Sequence, residues 1–274
     1  MPLVGVSSFQ FPKEVQFELL SEVFFDPFIK HHSTTWIGLF ERVSGRPVLR
    51  DFRGDVPGSE TAPVFAQERQ ESFDRAQLIS SESSKQISIP LCWHQEVLGW
   101  LIVEFARVDD HVDELDLGQI VGPLACLLAW SESPWSSRIE ALGQLQSLRN
   151  QYSDFDWIGI YRLPSQTSKT LALSVYIGEH TEHTEIPLES GICGAAVREE
   201  KTLNISNVHE DPRFIACSIK TQSELVVPIR TSSNRITAEI DIDSNTPSNF
   251  SPEKVAAVEA AADRLGKISE LFTD

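Results

Sequence analysis

Two thiols, two aromatic rings and three carboxylates lie at short spacings in the second half of the chain: Trp157-Ile-Gly-Ile-Tyr161, Gly191-Ile-Cys193-Gly194, Ile215-Ala-Cys217, Ser223-Glu224 and Asp241-Ile-Asp243-Ser244. Such a set suits redox chemistry on a small charged substrate. A thiolate that attacks an oxidised sulfur is left as a sulfenic acid, which a neighbouring thiol converts to a disulfide that an external reductant must reopen. The departing oxygen needs a proton, and the substrate needs a pocket. Asp241 and Asp243 stand two apart, so on a strand both project from one face while Ile240 and Ile242 face the other way. Glu224, at the start of a neighbouring strand, can join them. Three acids in one cleft repel, which raises at least one pKa and leaves a protonated carboxyl able to donate. The remaining negative charge suits an ammonium group. Trp157 and Tyr161, four apart on a strand, also share a face.

These residues, within roughly 153–245, resemble the free methionine-(R)-sulfoxide reductases, a GAF-fold family that reduces one epimer of the free oxidised amino acid. The resemblance implies that Cys217, in its Ile-Ala-Cys segment, is the nucleophile. It makes Cys193, in a Gly-x-Cys-Gly turn, the resolving thiol, and the separation of 24 positions equals the family's. Trp157 and Tyr161 are then walls of the pocket for the substrate's methyl and sulfur, and Glu224, Asp241 and Asp243 bind substrate and supply the proton. Free methionine sulfoxide would be the substrate and thioredoxin or a similar dithiol the reductant, with no cofactor. Three positions depart from the family pattern: His183 stands where a third cysteine is usual, Asp211-Pro-Arg-Phe214 where Pro-Gly-His is favoured, and Ser218 where the residue after the nucleophile is Asp. Two other readings use the same residues: a small-molecule-binding sensory module, to which Asp-Pro-Arg-Phe is common, and a thiol redox sensor whose disulfide alters an interface.

The elements that must position these groups occur twice. Trp36-Ile-Gly-Leu-Phe40 is echoed by Trp157-Ile-Gly-Ile-Tyr161, and Gln86-Ile-Ser-Ile-Pro-Leu91 by Glu224-Leu-Val-Val-Pro-Ile229. Each copy continues through a polar turn into a second strand, Val97 to Phe105 and Arg235 to Asp243, and ends in a helix, Asp113 to Ala129 and Pro252 to Phe272. Ser251-Pro252-Glu253 reads as a cap, a first-turn proline and an acid at a helix start. A polar break at 131–137 precedes an amphipathic helix over Arg138 to Tyr152, with Ile139, Leu142, Leu145 and Leu148 in steps of three. The pattern predicts an α+β chain of tandem GAF-like domains, each an antiparallel sheet flanked by helices: 1–132 degenerate, 133–274 carrying the thiols. From tryptophan to proline the first copy is shorter, 54 positions against 71, and so lacks a cysteine loop. Counting from the proline, Glu224 becomes Gln86, Asp241 becomes Val103 and Asp243 becomes Phe105. The first copy reads as a packing and dimerisation domain without chemistry, so a homodimer is compatible with the plan.

Composition narrows the partners. The chain has 274 residues, 41% of them hydrophobic, enough for one large core or two smaller ones. With 40 acids against 23 bases, a net charge of −17 opposes any sequence-independent grip on nucleic acid or an anionic membrane. No apolar stretch reaches bilayer length, the start has no signal-peptide pattern, and four cysteines make no disulfide framework. A cytoplasmic protein with reduced thiols is expected. His180-Thr-Glu-His183 lacks the further ligands of a zinc site, so no metal is expected there, and His31-His32 is weaker still. Cys92 and Cys126 read as buried filler.

Overall fold

The computed structural model describes residues 21–26, 34–54, 77–80, 85–94, 96–105, 114–215, 218–268 and 271. The chain divides into two compact units, the first ending at Ala129 and the second starting at Trp130. Both are α+β, and both are built on an antiparallel sheet.

Unit one contains β1 (Thr34–Val43), β2 (Arg46–Gly54), β3 (Gln77–Ser80), β4 (Lys85–Trp93), β5 (Glu96–Phe105) and α1 (Glu114–Ala129). Its strands lie in the order β2-β1-β5-β4-β3, every neighbouring pair antiparallel. Unit two contains α2 (Trp135–Gln151), β6 (Trp157–Arg162), β7 (Thr170–Ile177), β8 (Glu185–Pro187), α3 (Gly191–Glu199), β9 (Leu203–Ile205), β10 (Ser223–Arg230), β11 (Ile236–Ser244) and α4 (Pro252–Leu265). Its order is β8-β7-β6-β11-β10-β9, again antiparallel throughout. Without the edge strand β8, the chain takes the same path through both sheets.

The repeat extends to atomic packing. In each copy the tryptophan folds back over the glycine two residues on, its neighbour on the same face of the strand. A Cβ on Gly38 or Gly159 would lie 2.4 Å from the ring of Trp36 or Trp157. A side chain at either position would expel the ring, which accounts for a glycine inside each strand.

Along β11, alternation is strict. Ile240 and Ile242, with Ile158 and Ile160 of β6, are fully buried on one face. Acids occupy the other. Helices α2 and α4 pack against each other and on the central strands, while α3 packs on β8, β10 and β11. At the start of α4, Ser251 accepts from the Lys254 N–H with Pro252 in the first turn, as the sequence implies. The helix ends at Leu265 and does not run on to Phe272. Gly266 there presses so close to the Arg230 carbonyl that a Cβ would sit 1.9 Å from its oxygen.

The register also corrects the comparison of the two copies. Pro90 pairs with Trp100, whereas Pro228 pairs with Glu239, so the connection from β10 to β11 is one residue longer. A one-residue offset exchanges the two faces. The counterparts of Asp241 and Asp243 are therefore Ile102 and Glu104, which pair with Gly38 and Trp36 as the two aspartates pair with Gly159 and Trp157. Glu224 does correspond to Gln86.

Candidate thiol and carboxylate site

Cys193 belongs to the first turn of α3, directly after the extended Ser190. The sequence reads there as a turn, because two glycines in four residues weaken a helix. Gly194 is required for another reason: a Cβ would come within 2.5 Å of the Leu188 carbonyl oxygen, so only glycine lets α3 sit this close to the chain entering it. That approach turns the Cys193 side chain toward the sheet, where it is buried and its Sγ donates to Glu224 Oε1 at 3.9 Å.

The carboxylates come from two paired strands. Glu224 on β10 lies directly opposite Asp243 on β11, and Asp241 and Glu239 continue the same face. All four are buried, at 6% exposure or less. Glu239 is a fourth acid that the reading of the sequence missed, although it continues the alternation of Asp241 and Asp243 two residues upstream. Neither oxygen of Glu239, nor Oδ1 of Asp241, meets a hydrogen-bond donor in good geometry. The Cys193 thiol is nevertheless close enough to both to favour their ionised forms.

Burial dominates the electrostatics. It drives Glu224, Glu239 and Asp243 well above the ordinary carboxylate range, and the charge of Asp241 adds to the effect on each. Asp241 rises to about 7, burial again being the first cause, with hydrogen bonds from Cys193 and the Ile242 N–H opposing it. Among the described residues, no lysine or arginine contributes to any of the four shifts. This corner of the protein therefore holds protons near neutrality.

An open cleft reaches Cys193 and Glu224. His183, Ile186, Ile192 and Ile215 are among its other walls, and its atom-free space, mouth included, is about 410 Å³. Ligand clefts commonly have this scale and this mix of apolar wall and a few polar groups. Asp241 and Asp243 lie behind Glu224 and do not line it. Cys217 is outside the described residues, as is His31-His32, but Ile215, two positions before Cys217, is a wall of the same cleft.

The two rings take different places. Tyr161 is fully buried, and its hydroxyl donates to the His183 carbonyl at 2.7 Å, so it braces a cleft residue. Trp157 stacks on Tyr176 with centroids 5.5 Å apart and lies opposite Asp243. Neither ring lines the cleft. His183, where the family has a third cysteine, does line it. In the loop before Cys217, Arg213 holds Asp211 through two nitrogens, at 2.9 and 2.7 Å, and reaches Glu199 of α3 at 3.0 Å. The departure from Pro-Gly-His thus ties this loop to the helix that carries Cys193.

In unit one the equivalent sheet face is filled. Trp36, Phe40, Leu49, Val97, Trp100 and Ile102 form one apolar cluster, with Trp100 standing where unit two has Glu239 and Ile102 where it has Asp241. Cys92 packs against this cluster, and Cys126 is buried in α1. Cys92, Cys126 and Cys193 are thiols rather than disulfides.

The GAF domain family matches residues 141–268. Protein ZMO0507 of Zymomonas mobilis is 33% identical over 42% of this chain and 68% of its own length. Free methionine-R-sulfoxide reductase of Escherichia coli is 31% identical over 44% of this chain and 70% of its own. Among solved structures, type II free methionine-R-sulfoxide reductase from Thermoplasma acidophilum is 35% identical, covering 48% of this chain and 90% of its own, with a TM-score of 0.45. Through its second unit, the chain belongs to the GAF-domain family that counts the free methionine-R-sulfoxide reductases among its members.

Proposed function

We propose that the second unit reduces free methionine-(R)-sulfoxide to methionine through a two-thiol cycle. The observation that carries this reading is the Cys193 thiol held against Glu224 at the head of an open cleft, with three more buried acids behind it. Cys217 attacks the sulfoxide sulfur and a carboxyl protonates the oxygen, which leaves methionine and a sulfenic acid on Cys217. Cys193 then attacks that sulfur, releasing water and forming the Cys193–Cys217 disulfide. A dithiol of the thioredoxin type reopens it, consistent with a reducing, cytoplasmic setting.

The acids divide the remaining work. Glu224 reaches the cleft and burial raises its pKa, so it is the proton donor in this scheme; Asp241, at about 7, supplies the negative charge that favours the substrate's ammonium, with Asp243 beside it. Tyr161 acts through the His183 backbone and Trp157 backs Asp243, so both shape the pocket from behind.

The test is multiple-turnover reduction of the free (R)-epimer by dithiothreitol and then by thioredoxin, with the (S)-epimer and a peptide-bound sulfoxide as controls. Turnover is expected for the free (R)-epimer alone. Cys217→Ser abolishes it, and Cys193→Ser yields one turnover and a trappable sulfenic acid. Sustained turnover by Cys217→Ser sinks the reading. Absence of turnover in folded, reduced protein points instead to a ligand-binding or redox-sensing module.

A further inference from the structure

The carboxylates and the thiol also form an arrangement that proton transfer does not require. Ligand atoms of Cys193, Glu224 and Asp241 all lie within 4.8 Å of one another, and all three residues are buried. In a tetrahedral zinc site, bond lengths of about 2.3 Å to sulfur and 2.1 Å to oxygen place neighbouring ligand atoms about 3.5 Å apart. The Cys193 Sγ to Glu224 Oε1 distance is 3.9 Å, a few tenths of an ångström longer. Asp241, 2% exposed, has no hydrogen-bond partner on Oδ1. Glu239 lies beside this group, completely buried and near the Cys193 thiol, without belonging to it.

A buried carboxylate oxygen with no donor is costly, and either a proton or a cation relieves that cost. The donors select which cation. One thiolate among carboxylates is too soft for magnesium or calcium and fits a borderline divalent ion. We infer that Cys193, Glu224 and Asp241 form a binding site for a divalent cation of the zinc class, reached through the cleft. His180 and His183 take no part, since their imidazoles do not join the group of ligand atoms among the described residues. Such an ion would cap the Cys193 sulfur and exclude other ligands from the inner end of the cleft. The site stands independently of sulfoxide turnover.

The experiment uses the full-length, untagged, reduced chain after exhaustive chelation. It is titrated with Co²⁺ and, against a chromophoric chelator, with Zn²⁺ at neutral pH. One equivalent should bind, and Co²⁺ should give the thiolate charge-transfer absorption in the near ultraviolet. In Cys193→Ser that absorption should vanish. Asp241→Asn, which removes a buried acid and so should fold at least as well, should weaken Zn²⁺ binding by about tenfold or more, no less than the loss when a metal site's supporting groups are removed. Absence of saturable binding overturns the inference. So does a charge-transfer band that survives in Cys193→Ser, or Zn²⁺ affinity unchanged in Asp241→Asn.

Discussion

Each residue of the acid row is close to the others and far from any compensating charge, which sets a measurable pH dependence. Asp241, at 3.8 in an unfolded chain and about 7 in the folded one, carries a proton when folded and releases it on unfolding over that interval. A group whose folded pKa is raised stabilises the fold below its unfolded pKa, and that contribution fades as pH rises through the folded value. Glu224, Glu239 and Asp243 act in the same direction, and the groups facing them are Cys193, Asp156 and Asp211, with no base among them. The metal-free protein is therefore expected to melt several degrees lower in mildly alkaline than in mildly acidic buffer. Asp241→Asn should flatten the difference and raise the alkaline melting temperature; calorimetry at a series of pH values checks it, and an unchanged slope would refute it. The three acids named from the sequence do share one face, because alternation on a strand is a simple rule. The fourth, Glu239, obeys the same rule and was passed over because its flank, Thr237-Ala238, carries no acid to extend the pattern. Burial of the row was not legible, since nothing in the sequence shows that α3 covers it.

At the level of elements, strands were easier to read than helices. Trp-x-Gly followed by an aromatic marks β1 and β6, and the proline-containing apolar runs mark β4 and β10, because local alternation sets a strand's faces. Helix α3 was hidden by Gly191 and Gly194, whose low helix propensity is overridden by tertiary contact with Leu188. Face assignment in unit one failed by one position, because a turn's length is invisible to a count made from a single anchor. The packing at α3 yields a direct prediction. Gly194→Ala places a methyl 2.5 Å from the Leu188 oxygen, which overpacking costs at about 1–3 kcal/mol. Thermal unfolding should register that loss, and displacement of α3 should slow formation of the Cys193–Cys217 disulfide more than it slows the first turnover. A variant with unaltered stability and resolution rate would show that α3 is not held by this contact. Arg213→Met should slow the same step, since it frees the loop before Cys217 from Glu199.

For the molecule as a whole, the two sheets share a path and differ in what one face carries. No helix among the described residues is long and apolar enough to cross a membrane. Residues 130–274 hold every group assigned to chemistry, so this fragment is expected to fold alone and keep the kcat of the full chain; a folded but inactive fragment would require a catalytic contribution from unit one. That the chain contains the plan twice was legible from two short echoes, whereas the aromatic plug of the first copy emerged only from the strand register. The indole resting on glycine, kept in both copies, has an evolutionary reading. It ties the backbone of the first strand to a ring, so the glycine cannot change while the ring stays, whereas the same face carries Glu239 and Asp241 in one copy and Trp100 and Ile102 in the other. A gene duplication would accordingly leave the paired tryptophan and glycine common to both sheets and the acid face as the part in which they differ.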